Sequence, residues 1–151
     1  MSELFDYERK ILAQNISVAE KKDAAEAEKK VILAVDDMPE MLNNIASILG
    51  KQYTVLLAKD GWTAIELLKV RHVDLVLLDH GMSKVSGTET LKEIRKIPKL
   101  ADIPVVFVSA TINLDFIQKT AALKPAGYVV KPIEPEALRK TVMKVLGENL
   151  V

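Results

Sequence analysis

The sequence has no cysteine, which excludes disulfides, zinc-thiolate sites and thiol nucleophiles together. It has no surplus of charge: 21 Lys and Arg balance 21 Asp and Glu, so nothing global draws the chain to nucleic acid or to an anionic membrane surface. No apolar run approaches the roughly 20 residues that a bilayer span needs. The N-terminus, Met-Ser-Glu-Leu-Phe-Asp-Tyr-Glu-Arg-Lys, lacks the apolar core of a secretion signal. A cytoplasmic protein with no membrane partner is the expectation. Aromatic residues make up only 5% of the chain, and no basic cluster surrounds Trp62 or Phe116, so packing rather than base stacking is expected of both.

What is present suffices for one domain. The 151 residues are 49% hydrophobic, enough to bury a proper core, and a second folded domain is not expected. Residues 1–29 differ in character from the rest: they are rich in Ala, Glu and Lys, contain neither Gly nor Pro, and end in the polar run Glu20 to Lys30. A helical extension is expected there. Leu4, Tyr7, Ile11 and Val18 fall at heptad-like spacing, but Gln14 and Lys21 interrupt the stripe, which argues against a long coiled coil. The plainer reading is a helix that packs on the domain or frays; the sharper one is a dimerising or partner-binding helix. Residues 30–151 carry the folded domain.

A regular alternation begins at Val31. Val31–Val35 reads as a strand and stops at Asp36-Asp37; Pro39 opens a helix whose apolar face is Met41, Leu42, Ile45, Ile48 and Leu49, ending at Gly50. Tyr53–Ala58 is the second strand, and Asp60 caps a helix through about Lys69 with Ala64, Ile65, Leu67 and Leu68 inward. Leu75–Asp79 is the third strand, Thr88–Lys96 a helix closed by Pro98, Val105–Ser109 the fourth strand and Asn113–Leu123 a helix. Gly127–Val130 is the fifth strand, before a last helix from Pro135 to about Leu146. Short, continuously apolar strands alternating with helices imply a parallel sheet buried on both faces, and right-handed crossovers make it an open doubly wound α/β sheet. Ligands of such sheets sit beyond the carboxyl ends of the strands.

Those ends carry Asp36 and Asp37, Asp79, Ser109 and Lys131. Each has a plain explanation alone: Asp37 as a helix cap, Ser109 as a satisfied hydroxyl, Lys131 as a solvated lysine. Three carboxylates converging in a partly dry site instead need a cation or a proton to relieve their repulsion. Mg²⁺ suits that need, being a hard cation that takes one or two carboxylates, waters and phosphate oxygen. Ser109 and Lys131 would then supply donors to phosphoryl oxygens, and Asp79 is the natural nucleophile, since a carboxylate can form an aspartyl phosphate.

The Asp36-Asp37 pair, the run Leu77-Leu78-Asp79-x-x-Met82 with Gly87, Ser109-Ala110, and Tyr128-Val-Val-Lys131-Pro132 occur in the order and spacing of one family. Over residues 30–148 the chain resembles the receiver domains of two-component response regulators, most closely the single-domain, chemotaxis-like kind. The resemblance implies a flavodoxin-like sheet of strand order 2-1-3-4-5. It implies phosphorylation of Asp79 by a sensor histidine kinase or phosphotransfer protein, with no enzyme activity beyond the chain's own phosphorylation and dephosphorylation. It implies Mg²⁺ held directly by Asp37, Asp79 and the Gly81 carbonyl, with Asp36 acting through water, and Ser109 and Lys131 on the phosphoryl group. Tyr128 occupies the place of the family's switch aromatic, and a downstream protein target would dock on the face of the fourth helix, Tyr128 and the last helix. The five residues after Leu146 leave no room for an output domain, so signalling by protein contact is expected. Two positions bear on tuning. Ser83 stands where relatives usually have proline, which loosens the loop without removing a ligand, and Gly81 offers no side chain to shield the site from water.

Other readings compete. The chain would serve as a phosphate-independent interaction scaffold if the pocket outlived its turnover, or as an intermediate in a phosphorelay. An Mg²⁺-dependent aspartyl phosphatase would put Asp-x-Asp after its first strand, and a flavin site would need a Ser/Thr/Gly-rich loop there. His80 is expected to line the loop and modulate access, His72 to end the second helix, and Lys92, Arg95, Lys96 and Lys99 to form a solvated helix end.

Overall fold

The computed structural model describes residues 29–148. Five strands, β1 (Val31–Val35), β2 (Thr54–Ala58), β3 (Leu75–Asp79), β4 (Val105–Ser109) and β5 (Gly127–Val130), pair in the order β2-β1-β3-β4-β5. All four pairings are parallel. Each strand is followed by a helix: α1 (Pro39–Leu49), α2 (Gly61–Val70), α3 (Gly87–Lys96), α4 (Leu114–Thr120) and α5 (Pro135–Val145). This is the flavodoxin-like, doubly wound sheet that the alternation and the resemblance led us to expect.

The apolar runs are continuous because both faces are covered. Alternate residues of a strand point to opposite sides, so Leu33, Val35, Val76, Leu78, Val105 and Phe107 meet α2, α3 and α4 through Ala64, Ile65, Leu68, Leu91, Ile94 and Phe116. Ile32, Ala34, Leu75, Leu77, Val106, Val108 and Val129 meet α1 and α5 through Leu42, Ile45, Leu49, Leu138 and Val142. Removing one of these central leucines costs about 2–5 kcal/mol in typical cores. With the faces sealed, the strand ends are where backbone and polar side chains meet solvent.

Several local expectations change. Tyr53 precedes β2; it is buried, and its hydroxyl donates to Glu148 Oε1 at 2.8 Å. Helix α3 starts at Gly87 because the Ser86 side chain accepts from the Glu89 amide, a cap one residue earlier than expected. The segment from Asn113 to Leu123 divides: α4 ends at Thr120, whose hydroxyl donates back to the Phe116 carbonyl at 2.9 Å, and a 3-10 turn, Ala121–Leu123, ends at Lys124 with φ 53°. Helix α2 ends at Val70, so His72 lies beyond it, its ring hydrogen-bonded to Asp74 Oδ1.

Two corrections concern side chains. Packing does not account for Trp62, which is 56% exposed. The inward stripe of α2 runs through Gly61, Ala64, Ile65 and Leu68, and Trp62 falls outside it. Arg95 is not part of a solvated helix end: its guanidinium donates to the carbonyls of Leu123 (2.9 Å), Ile103 (2.7 Å) and Lys124 (3.2 Å), tying α3 to the approaches of β4 and β5. Burial lowers its pKa from the ordinary value, against the pull of Asp102. The helical extension expected over 1–29, and the dimer built on it, lie outside the described residues apart from Lys29.

Candidate functional site

The sheet register assembles the site. Asp36 and Asp37 follow β1 at the sheet centre, Asp79 closes β3 beside it, Ser109 closes β4, and Lys131 follows β5. The pairing carries through the ends: the Lys131 amide donates to the Ser109 carbonyl at 2.8 Å, and the His80 amide to the Val108 carbonyl at 3.1 Å. The five side chains singled out in the sequence are therefore brought to one edge by backbone hydrogen bonds.

Lys131 stands between two of the carboxylates. Its Nζ donates to Asp36 Oδ2 and to Asp79 Oδ1, each at 3.0 Å. Asp36 is 1% exposed and Asp79 5%, so this is a partly dry ion network, where unpaired charge is expensive. Burial raises the Asp36 carboxyl above its ordinary pKa, with the Asp79 charge adding to it and the Met38 amide and Lys131 opposing it. Burial also disfavours the Lys131 ammonium, but hydrogen bonds to Asp79 and Asp36, and then their charges, outweigh that cost and raise its pKa. The cation is thus fixed as the neutralising group of the site, and Asp36 bears the cost of its own burial.

The two remaining carboxylate arrangements differ. Asp79 Oδ1 also accepts from the Gly81 amide at 3.3 Å, while its Oδ2 takes no hydrogen bond. Among the described residues no fully buried side-chain oxygen lacks a partner, so this second oxygen keeps a small contact with solvent. Asp37 is exposed and does not cap α1, which has no side-chain cap. Its Oδ2 instead accepts from the Ser83 amide at 3.1 Å and the Ser83 hydroxyl at 3.2 Å. One oxygen from each of Asp36, Asp37 and Asp79 lies within 4.8 Å of the others. Three hard carboxylate donors converging at that distance, two of them buried, suit Mg²⁺ by the chemistry of the donor set.

Ser109 and Tyr128 are near but engaged elsewhere. The Ser109 hydroxyl donates to the Thr111 carbonyl at 3.1 Å and accepts from the Thr111 amide at 3.2 Å. Tyr128 is half-buried; its hydroxyl shares a 2.8 Å hydrogen bond with Thr120, and its ring stacks on Phe107 (6.1 Å, 22°) and meets Phe116 edge-on (5.7 Å). His80 lines the loop as expected, with its ring against Phe116 at 4.5 Å and Phe107 at 6.2 Å. An aromatic cluster therefore runs from the residue after Asp79 to Tyr128.

The loop after β3 is closed on itself. The Gly87 amide donates to the His80 carbonyl at 3.1 Å, and Met82 is buried in the core. A Cβ on Gly87 would lie 2.5 Å from the Asp79 carbonyl oxygen and 2.8 Å from His80 Cα. Both are backbone atoms that cannot turn aside, so Gly87→Ala should destabilise the fold by about 1–3 kcal/mol. Urea denaturation checks this; an unchanged midpoint would show that the loop relaxes freely. At Gly81 a Cβ meets nothing within 4 Å.

The sequence did not suggest the Ser83–Asp37 contact, which joins residues 46 apart, though the departure from proline at 83 marked the position. No described helix is long and apolar enough to cross a membrane.

Comparisons with known proteins agree with this geometry. The sequence model described as "Response regulator receiver domain" matches residues 32–143. A probable cyclic di-GMP phosphodiesterase of Vibrio cholerae is 34% identical over 111 residues, 74% of this chain, which spans only 25% of that protein. The chemotaxis protein CheY of Pseudomonas aeruginosa is 32% identical over 117 residues, covering 76% of this chain and 94% of that one. Among solved structures, Vibrio cholerae CheY4 superposes with a TM-score of 0.75 at 27% identity over 78% of this chain and 98% of that one.

Proposed function

Because this chain belongs to the response regulator receiver domain family, we propose that it is a phosphorylation-dependent signalling switch: Asp79 accepts a phosphoryl group from a phosphohistidine donor, and the change is read by a protein partner. The observation that carries this is the Asp79 carboxylate itself, with one oxygen held by Lys131 and the Gly81 amide and the other free of hydrogen bonds among the described residues. The free oxygen attacks phosphorus in line; a P–O bond forms as the P–N bond to the donor imidazole breaks, and the electron pair leaves with the imidazole nitrogen.

Asp37 and Asp79, with the carbonyl of Gly81, would hold Mg²⁺, and Asp36 would act through water. Bound there, the ion supplies charge neutralisation for the phosphoryl oxygens. Lys131 is already placed 3.0 Å from Asp79 Oδ1 and contributes an ammonium donor to the transferred group. Ser109 contributes its hydroxyl after leaving Thr111, and Tyr128 follows by giving up its hydrogen bond to Thr120 and turning inward. The surface formed by α4, β5 and α5 is the face on which a downstream protein would read that turn, and a sensor histidine kinase or phosphotransfer protein is the donor.

Incubation with Mg²⁺ and acetyl phosphate, followed by intact-mass measurement, should show one added phosphoryl group, and none when a chelator is present from the start. A protein that stays unmodified under these conditions would leave the phosphate-independent scaffold reading in its place.

A further inference from the structure

We infer that Ser83 is a positioning residue for the metal site: it holds Asp37 in the orientation in which that carboxylate meets the cation. The inference rests on the proposed Mg²⁺-dependent switch. Two donors converge on one acceptor, the Ser83 amide at 3.1 Å and its hydroxyl at 3.2 Å from Asp37 Oδ2. Proline at this position would have neither. Among the described residues no hydrogen bond reaches Asp37 Oδ1, so one oxygen stays available while the other is held.

Three observations make this positioning rather than an idle surface contact. First, the Asp37 orientation seen with both bonds in place is the one that brings a carboxylate oxygen within 4.8 Å of those of Asp36 and Asp79. Second, Asp37 is exposed and has no helix-capping role, so no surrounding packing fixes its rotamer. Third, Ser83 follows Met82, which is 7% exposed and packs into the core on the α2 and α3 side of the sheet. That anchor fixes where the Ser83 amide points. A ligating carboxylate held by hydrogen bonds on its other oxygen binds metal more tightly, because its rotamer freedom is lost before the metal arrives; the loss of such partners typically weakens affinity by about 10–100-fold. The exposed setting here places the effect at the lower end of that range.

Calorimetric titration of the full chain with Mg²⁺ alone tests this. Ser83→Ala, which keeps the amide donor, should bind about threefold more weakly, and Ser83→Pro, which has neither donor, about tenfold more weakly. Ser83→Thr, which has both, should bind as the wild type does. Metal-free melting temperatures should be alike across the alanine, threonine and wild-type proteins, separating ligand placement from fold stability. In an Asp37→Ala background the serine changes should have no further effect on Mg²⁺ affinity. Equal or tighter Mg²⁺ binding by the alanine and proline variants would overturn the inference, as would an effect that persists undiminished without Asp37. If the wild type binds no Mg²⁺, the proposed function falls and takes this with it; if it binds and the variants match it, only the role of Ser83 falls.

Discussion

Asp79→Asn should abolish phosphoryl uptake from acetyl phosphate while leaving a folded protein. The amide is nearly the size of the carboxylate, and its oxygen can still accept from Lys131 and the Gly81 amide, the two donors now 3.0 Å and 3.3 Å from Oδ1. The missing element is the nucleophile, because an amide nitrogen has no lone pair free to form the acyl phosphate. The same change removes one negative charge next to Asp36, whose pKa is raised by burial and by Asp79. Metal-free stability should therefore hold or rise while Mg²⁺ affinity falls. Intact mass and thermal melting on the same samples report all of this. A phosphoryl adduct of undiminished yield on the asparagine variant would place the acceptor elsewhere and refute the assignment.

Lys131→Ala should be the most destabilising polar substitution in the domain, costing about 3 kcal/mol without metal, because breaking a buried ion pair from one side leaves its partners charged and unpaired. Here two partners are stranded: Asp36 and Asp79, 1% and 5% exposed. Two conditions should restore part of the loss. Mg²⁺ at a hundred times its dissociation constant returns up to about 2.7 kcal/mol, since it binds only the folded site. Acid also helps, with a sign opposite to that of an ordinary paired carboxylate. The Asp36 pKa is raised in the fold, so the folded state binds this proton more readily than the unfolded chain; the deficit shrinks as pH falls through the raised value. Urea denaturation at pH 7 and pH 5, with and without Mg²⁺, gives the four stabilities needed. A variant as stable as the wild type in all four would mean that the aspartates are solvated well enough to need no cation.

Much of this was legible in the chain because short apolar runs buried on both faces admit few arrangements. Strands β1, β3, β4 and β5 fall where their runs begin and end, and the rule that places ligands at the carboxyl ends collects Asp36, Asp37, Asp79, Ser109 and Lys131 without any coordinates. The pairing order came from family resemblance, since nothing in periodicity says which strands are neighbours. What failed did so for physical reasons. The lack of a basic cluster around Trp62 argued for packing, but the stripe through Ala64, Ile65 and Leu68 turns it outward, and the helical period prevails. Arg95 looked solvated because its partners, Ile103, Leu123 and Lys124, arrive only with the tertiary fold. The plain alternative for Asp37, a cap for the helix that Pro39 opens, falls because its carboxylate reaches across to Ser83 in a loop whose position depends on Met82.

Strand β3 has a neighbour on each side and all five residues buried, and the loop that follows leaves the sheet within a few residues of Asp79. Amide hydrogen exchange should register that abrupt change. The amides of Val76 to Leu78 should open only with global unfolding, on the slowest timescale the molecule has, while that of Lys84 exchanges through local fluctuation. The proposed acceptor would then close the rigid strand a short way ahead of a segment that opens locally. A modification made there is felt by a segment free to move, and the strand behind it stays still; uniform protection from Leu75 to Gly87 would contradict this.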